Sequence, residues 1–282
     1  MEHLLSLYHE HCTRHGVPFQ RHESVLSYDE TTLFCPAGMQ QFKSRYHDPH
    51  SRGTLGNCQS CLRLVDLQDI DDSTHYLHFQ MLGLFSFHEW TVPQTIRFWV
   101  EFVQQVLELP LSYVTIHPDC DPTWRSYYDP YQLDVCLDPE CVWGDGELRG
   151  YCTEFYIGDV EIGNIVHTGG HSIDVGFGGE RLNSFFSPTS TEKSGEQVLS
   201  ETITRLLLDG VTPGNKRQGY VLRKLLRLLL KRGGTHPSPY FEQERDKLSR
   251  MESQYHRYKD KFHDKSPEWW LDTFGVDVSV LV

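Results

Sequence analysis

Two short apolar runs flank Gly158-Asp159 in "CTEFYIGDVEIGNIVHTG", and a two-residue turn of this kind is the signature of a β-hairpin. The next stretch, "SIDVGFGGERL" (172–182), starts like a strand, carries Asp174, passes Gly176, Gly178 and Gly179, and ends at Arg181. Glycine lets a backbone approach a ligand closely, so this stretch is the first candidate for a site. Upstream, "HYLHFQMLGLFSF" (75–87) reads as a buried strand that passes close to something at Gly83. "TVPQTIRFWVEFVQQVL" then reads as a helix, with Thr91 as its N-cap and Phe98, Trp99, Phe102, Val103 and Val106 along one stripe.

Leu4, Leu5, Tyr8 and Cys12 fall near helical spacing and stop at Gly16-Val17-Pro18, which predicts an N-terminal helix over 3–15. Residues 118–149 are rich in Asp, Pro and Tyr without a clear period and read as a loop-rich insertion near a cleft. From about 195 the pattern turns helical, so a boundary near 190 divides the chain into 1–190 and 191–282. A hydrophobic content of 38%, with 14 Tyr, 15 Phe and 6 Trp, supplies core material for a globular chain.

No apolar run approaches the roughly 20 residues of a membrane-spanning helix, and "MEHLLSLYHEHCTRHG" lacks an apolar signal region. The expectation is a soluble cytoplasmic protein with no membrane partner, its eight cysteines reduced. A net charge of −13 opposes adhesion to nucleic acid by the whole surface. The segment from Lys216 to Arg232 is the exception, with seven Lys or Arg and no acid.

Cys58-x-x-Cys61 has the spacing of half a zinc site, but no second pair stands at a standard distance, so zinc is not expected. There is no G-x-S-x-G, no Walker loop and no Rossmann fingerprint. If nucleotide phosphates are bound, arginines are the alternative, because a guanidinium grips phosphate oxygens bidentately and stays charged. Arg63 after "NCQSCL" and Arg181 after the glycines are suitably placed, although taken alone each reads more readily as half of a surface ion pair.

Taken together, these segments resemble the alanyl-tRNA synthetases, of the class II aminoacyl-tRNA synthetases. "TTLFCPAGMQQFK" resembles the family's T-L-L-F-x-N-A-G-M-x-Q-F-K, "FQMLGLFSF" its F-E-M-L-G-N-F-S-F, and "CTEFY" its C-[ST]-E-I-[FY]. "VEIGNIV" resembles its x-E-I-W-N-[IL]-V, "SIDVGFGGERL" its x-[IV]-D-T-G-M-G-L-E-R-[IL], and "DGVTPGNKRQGYVLRKLLR" its D-G-V-x-P-S-N-x-x-R-G-Y-V-[IL]-R-R-[IL]-x-R. The segments occur in the family's order, without its editing and C-terminal domains.

The resemblance implies an α+β fold, an antiparallel sheet flanked by helices and followed by a short helical domain. It implies that alanine, or another small amino acid, is activated with ATP and Mg²⁺ as an aminoacyl-adenylate and passed to a tRNA acceptor stem. A carrier-protein thiol or a small metabolite is the alternative acceptor, and a non-catalytic paralogue a more remote one; oligomeric state stays open. Arg63 would hold the α-phosphate and Arg181 the adenine and γ-phosphate, with His78, Phe79 and Gln80 around the nucleotide. Glu161 and Asn164 would gather Mg²⁺ and phosphate oxygens.

Asp174 would bind the α-amino group, and Val166, Gly176 and Trp143 would line the side-chain pocket. Asn215 and Asp272 would read the acceptor stem, beside Lys216, Arg217 and Arg223. The chain departs from the family at His78 and Gln80, which predicts an altered adenine site, and at Gly163, Val175, Phe177 and Gly179, which predicts a remodelled amino-acid pocket.

Overall fold

The structure, a computed structural model, describes residues 1–71, 76–144, 148–168, 171–187, 193–274, 276 and 278, without the side chain of Asp272. Its contacts divide into two compact units, Met1–Lys193 and Ser194–Val282.

The first unit opens with α1 (Glu2–Arg14), whose buried stripe of Leu4, Leu5, Tyr8 and Cys12 has the predicted helical spacing. Gly16 turns the chain at φ +68°. Next come β1 (Phe19–His22), the single turn α2 (Lys43–Tyr46), β2 (Gly53–Leu62) and β3 (His78–Phe87). α3 (Val92–Val100) begins at a capping box between Thr91 and Gln94, and its last turns widen into a π-helix through Val106. Then follow β4 (Tyr113–Ile116), the turn α4 (Thr123–Ser126), β5 (Asp134–Leu137), β6 (Val142–Gly144), β7 (Arg149–Ile157), β8 (Val160–Thr168), β9 (Ser172–Gly178) and α5 (Gly179–Phe186). The segment expected as loop thus supplies α4, β5 and β6; β5 and β6 are short, largely exposed edge strands, which leave no alternation to read.

The strands form one mixed sheet in the order β1-β2-β3-β9-β8-β7-β4-β5, with β6 also on β7. Only β1–β2 and β4–β5 are parallel, so the centre of the sheet is antiparallel. The predicted hairpin is β7–β8, turned at Gly158 with φ +58°. The sheet is flanked by helices, as expected.

Successive side chains of a strand point to opposite faces. Leu82, Leu84, Phe155, Ile165, Ile173, Val175 and Phe177 face α1 and α3 in the main core. Trp99 of α3 stacks on Phe177 with centroids 4.0 Å apart and rings 4° from parallel, and Tyr8 of α1 stacks on Trp99 at 5.2 Å. Tyr8 also donates its hydroxyl to the Gly83 carbonyl at 2.7 Å, tying α1 to the centre of the sheet. The other face of β3, β9, β8 and β7 is left to build a cavity.

One irregularity reorders that face. Register shifts between Phe155 and Tyr156: Phe155 pairs with Gly163 and Tyr156 with Glu161, so Ile162 is the extra residue of a bulge. In a regular ladder of the same residues Glu161 and Asn164, three apart, would point to opposite faces; the bulge brings both to the cavity while the Ile162 side chain stays buried in the core.

The second unit contains α6 (Gly195–Leu208), capped by Ser194 and Gln197, α7 (Arg217–Lys231), α8 (Pro239–Tyr258) and α9 (Pro267–Phe274). α7 packs against α6 and α8 through Leu222, Leu225, Leu226 and Leu229, all buried. No helix of the described residues is long and apolar enough to cross a membrane.

Candidate active site

A cavity of about 310 Å³ opens on the polar face of the first unit. Arg63, Arg181, Glu161, Asn164 and Asp174 all line it. The pairing registers explain why. Asn164 stands between Glu154 of β7 and Gly176 of β9, and Asp174 pairs with Val166 one step along the same face.

Arg63 follows the end of β2. Its Nε donates to the Pro36 carbonyl at 2.9 Å, and its guanidinium lies 5.1 Å from the centre of the Phe79 ring. The turn at Pro36 and the ring together fix the direction of the side chain while the rest of the fork faces the cavity.

Arg181 stands in the first turn of α5. Its Nη1 donates to the Glu161 carbonyl oxygen at 2.9 Å and lies 3.6 Å from the Glu161 carboxylate. Burial raises the Glu161 carboxyl above its usual range, reinforced by the charge of Glu154, while Arg181 and Arg63 pull the other way. Gly179 precedes this pair; a Cβ there would lie 2.8 Å from the Gln80 carbonyl, so the close approach of α5 to β3 needs glycine. Glu180 secures the same junction by accepting the Gln80 N–H at 2.8 Å.

The lining includes five carboxylates, Asp66, Glu154, Glu161, Asp174 and Glu180, and two guanidiniums. A polyanion alone would be repelled by that excess, so the site calls for cations beside it. Glu161 and Asn164 offer the hard oxygens that suit magnesium, and Asp174, 9% exposed, offers a partner for an ammonium group.

Several expectations are corrected. Of 78–80 only Phe79 lines the cavity. Alternation turns Gln80 to the opposite face, where its amide donates to Ser60 Oγ at 2.7 Å and its oxygen accepts from Cys58 Sγ at 3.2 Å; His78 is likewise absent from the lining. Gly176 and Trp143 line the cavity, but Val166 is buried beneath Trp143 with Cys141 and Cys152.

Val175 and Phe177 do not remodel the pocket: both point into the core. A Cβ on Gly163 would meet the Phe177 ring at 2.4 Å and the Gly176 carbonyl oxygen at 2.6 Å, so the close approach of β8 to β9 and the seating of Phe177 need glycine there. Cys58 and Cys61, three apart on β2, face opposite sides of the sheet and cannot grip one ion.

Glu154 is a cavity residue the sequence reading did not single out, although an acid inside the apolar strand "CTEFY" was the signal for it. Tyr76, Met81, Asp66 and Glu180 also enter the lining without a sequence signal of their own.

In the second unit, Asn215, Lys216 and Arg217 are exposed around the start of α7. Arg223 donates to the Asn215 side-chain oxygen, so two of the expected RNA-reading residues bind each other. Arg227 pairs with the buried Glu244 at 3.0 Å and Arg232 with Glu196 at 2.7 Å, which satisfies part of the basic helix internally. The side chain of Asp272 lies outside the described residues.

The chain is similar to alanine–tRNA ligases. It is 30% identical over 275 residues to that of Dehalococcoides mccartyi, covering 71% of this chain and 31% of the relative. It is 27% identical over 303 residues to that of Endomicrobium trichonymphae, covering 80% and 34%. The chain therefore spans about a third of the length of these curated relatives. Among solved structures, an apo histidyl-tRNA synthetase of S. aureus superposes with a TM-score of 0.43 at 12% identity, covering 88% of this chain and 82% of the other. The model of the tRNA synthetases class II (A) matches residues 5–193, most of the chain and nearly all of its sheet-bearing unit, and the chain belongs to that family.

Proposed function

We propose that the chain activates a small amino acid, alanine first, with MgATP, and that the aminoacyl group then passes to the acceptor end of a tRNA. The observation that carries this reading is the convergence of Arg63, Arg181, Glu161 and Asp174 on one cavity. Asp174 pairs with the substrate ammonium and so directs its carboxylate toward the nucleotide. A carboxylate oxygen attacks the α-phosphorus and the bond to pyrophosphate breaks. Arg63 stabilises the charge developing on the α-phosphoryl oxygens, and Arg181 holds the far end of the triphosphate, both through preorganised charge-assisted hydrogen bonds.

Glu161 and Asn164 would hold the magnesium that accompanies ATP, which supplies charge neutralisation for the leaving pyrophosphate. Positioning and electrostatics suffice, since no covalent enzyme intermediate is required. Gly176, Met81 and Trp143 all line the cavity, and a Cβ on Gly176 would already lie 3.0 Å from Met81 Sδ, a close wall that suits a short side chain.

Amino-acid-dependent exchange of labelled pyrophosphate into ATP tests the first step; alanine should support it best among small amino acids. No exchange with any of them would remove the reading. A second acceptor, a carrier-protein thiol or a small metabolite, is favoured by the internal pairing of Asn215 with Arg223 and of Arg227 with Glu244. Labelled alanine, ATP and total tRNA decide between them: label on RNA supports the first acceptor, and active adenylation without it supports the second. The cytoplasm, where tRNA and ATP meet, is the compartment this reading requires.

A further inference from the structure

We propose that Cys141, Cys152 and Glu154 hold a zinc ion in the wall of the cavity, with one coordination position open toward it. Among the described residues, the two sulfurs and a carboxylate oxygen all lie within 4.8 Å of one another. Zinc bonds of about 2.3 Å to sulfur and about 2.1 Å to oxygen, arranged tetrahedrally, bring ligand atoms roughly 3.5–3.8 Å apart. Cys152 Sγ is already 3.9 Å from Glu154 Oε1, so the set needs only small side-chain shifts to close on an ion.

The backbone brings the three together. Cys141 precedes β6 and accepts the Cys152 N–H on its carbonyl at 3.0 Å, continuing the β6–β7 ladder. Cys152 and Glu154 are two apart on β7 and share a face. The cysteines are separated by ten residues, which is why no compact spacing in the sequence announces them.

Glu154 is also oriented. Thr115 Oγ1 donates to its Oε2 at 3.0 Å and the Tyr156 hydroxyl donates to the same oxygen at 2.9 Å, which leaves Oε1 toward Cys152. Hydrogen bonds of this kind fix the orientation of ligating carboxylates. Packing alone could explain two buried thiols, but it gives no reason to set an oriented carboxylate against them.

Two thiolates and one carboxylate form a soft set that selects zinc over magnesium. Loading releases the two thiol protons to solvent and changes no oxidation state. The thiols lie behind the wall, 0% and 2% exposed, while Glu154 and Trp143 line the cavity. Three protein ligands with a fourth position open is the arrangement of zinc sites that bind a substrate. That position suits a lone-pair donor of a small amino acid: a side-chain hydroxyl or thiol, or the amine, which would give up one ammonium proton to solvent on binding the ion and keep its remaining N–H groups for Asp174. The substrate contact rests on the activation reading above; the ion does not.

The test is zinc content and cobalt spectroscopy on the full chain, purified under reducing conditions, stripped with chelator and reloaded. One zinc per chain is expected, with a thiolate-to-cobalt charge-transfer band on cobalt loading. Cys141→Ser and Cys152→Ser should lose the band, Cys58→Ser should keep it, and Thr115→Val should bind zinc about tenfold more weakly. Circular dichroism identifies variants that fail to fold, and Glu154→Gln, which keeps the side-chain volume, then carries the test. Absence of stoichiometric zinc in the folded chain, or undiminished binding in the Cys141→Ser/Cys152→Ser variant, overturns the proposal. Alanine, serine or cysteine added without ATP should perturb the visible cobalt bands; unchanged bands with all three overturn the open-position assignment. Zinc binding without pyrophosphate exchange would sink the activation reading and leave the site standing.

Discussion

The two faces of the central sheet use the same strands for opposite ends. On one, Phe177, Trp99 and Tyr8 stack in series, and large apolar side chains fill the space between sheet and helices. On the other, Glu154, Glu161 and Asp174 of the strands join Asp66, Glu180, Arg63 and Arg181 from the flanking segments around an open cavity. Neighbouring residues in the chain therefore answer to different physics: Phe177 to packing, Gly176 and Gly178 to access. Substitutions on the first face should change stability, and those on the second should change chemistry.

The largest expected separation is at Phe177. Phe177→Ala should cost about 3–5 kcal/mol of unfolding free energy, because it leaves a cavity against Trp99 and Gly163. Urea unfolding followed by tryptophan fluorescence measures it, and a cost near zero would break the assignment of this face to the core. Arg181→Ala should do the reverse, lowering the pyrophosphate exchange rate by about 10³-fold or more, equivalent to about 4 kcal/mol of transition-state stabilisation, with the unfolding midpoint nearly unchanged. A matching loss of stability would mean that Arg181 serves mainly its contacts to Glu161.

The core face should also set the acid limit of stability. His11 of α1 is 1% exposed and donates Nε2–H to the Phe98 carbonyl at 2.9 Å, while its buried Nδ1 has no hydrogen-bond partner among the described residues. Burial first, then the charges of His15 and Arg14, pushes it down to about 4, against the pull of the Phe98 carbonyl. The unfolded chain binds this proton near pH 6.5, so the His11 contribution is complete above that value and is lost as pH falls toward 4, by no more than about 3 kcal/mol. Comparing wild type with His11→Gln at pH 7 and pH 5 checks it: the variant should lose less stability on acidification.

The smallest effect is expected where Gly163 meets Phe177. Gly163→Ala should cost about 1–3 kcal/mol through the clash with the Phe177 ring and the Gly176 carbonyl, and should cost less in a Phe177→Ala background, where the ring is gone, so the two changes are not additive. Strict additivity would mean the two positions are not packed as a pair.

Much of the fold was legible. The stripe of α1, the capped start of α3 and the turn at Gly158 are local patterns with local causes. The sequence also pointed to Arg63, Glu161, Asn164, Asp174 and Arg181, through the resemblance, and all five line the cavity. It failed where facing decides the role. His78 and Gln80 flank the residue that reaches the cavity, and Val175 and Phe177 alternate with glycines that do. A substitution pattern names positions that differ from relatives but not the side of the sheet each occupies, so side chains that point into the core read as part of an altered pocket. Cys141 was equally hidden, because ladder pairing rather than spacing places it beside Cys152.

The bulge at Ile162 acts like a shift of reading frame. A strand is read in steps of two, and one extra residue changes which parity carries meaning. Before Ile162 the odd-numbered Glu161 reaches the cavity; after it the even-numbered Asn164 shares that face. A saturation scan across Val160–Thr168 should show functional sensitivity changing parity at this point, and deleting Ile162 should remove the bulge while leaving Glu161 and Asn164, then two apart, on the cavity face.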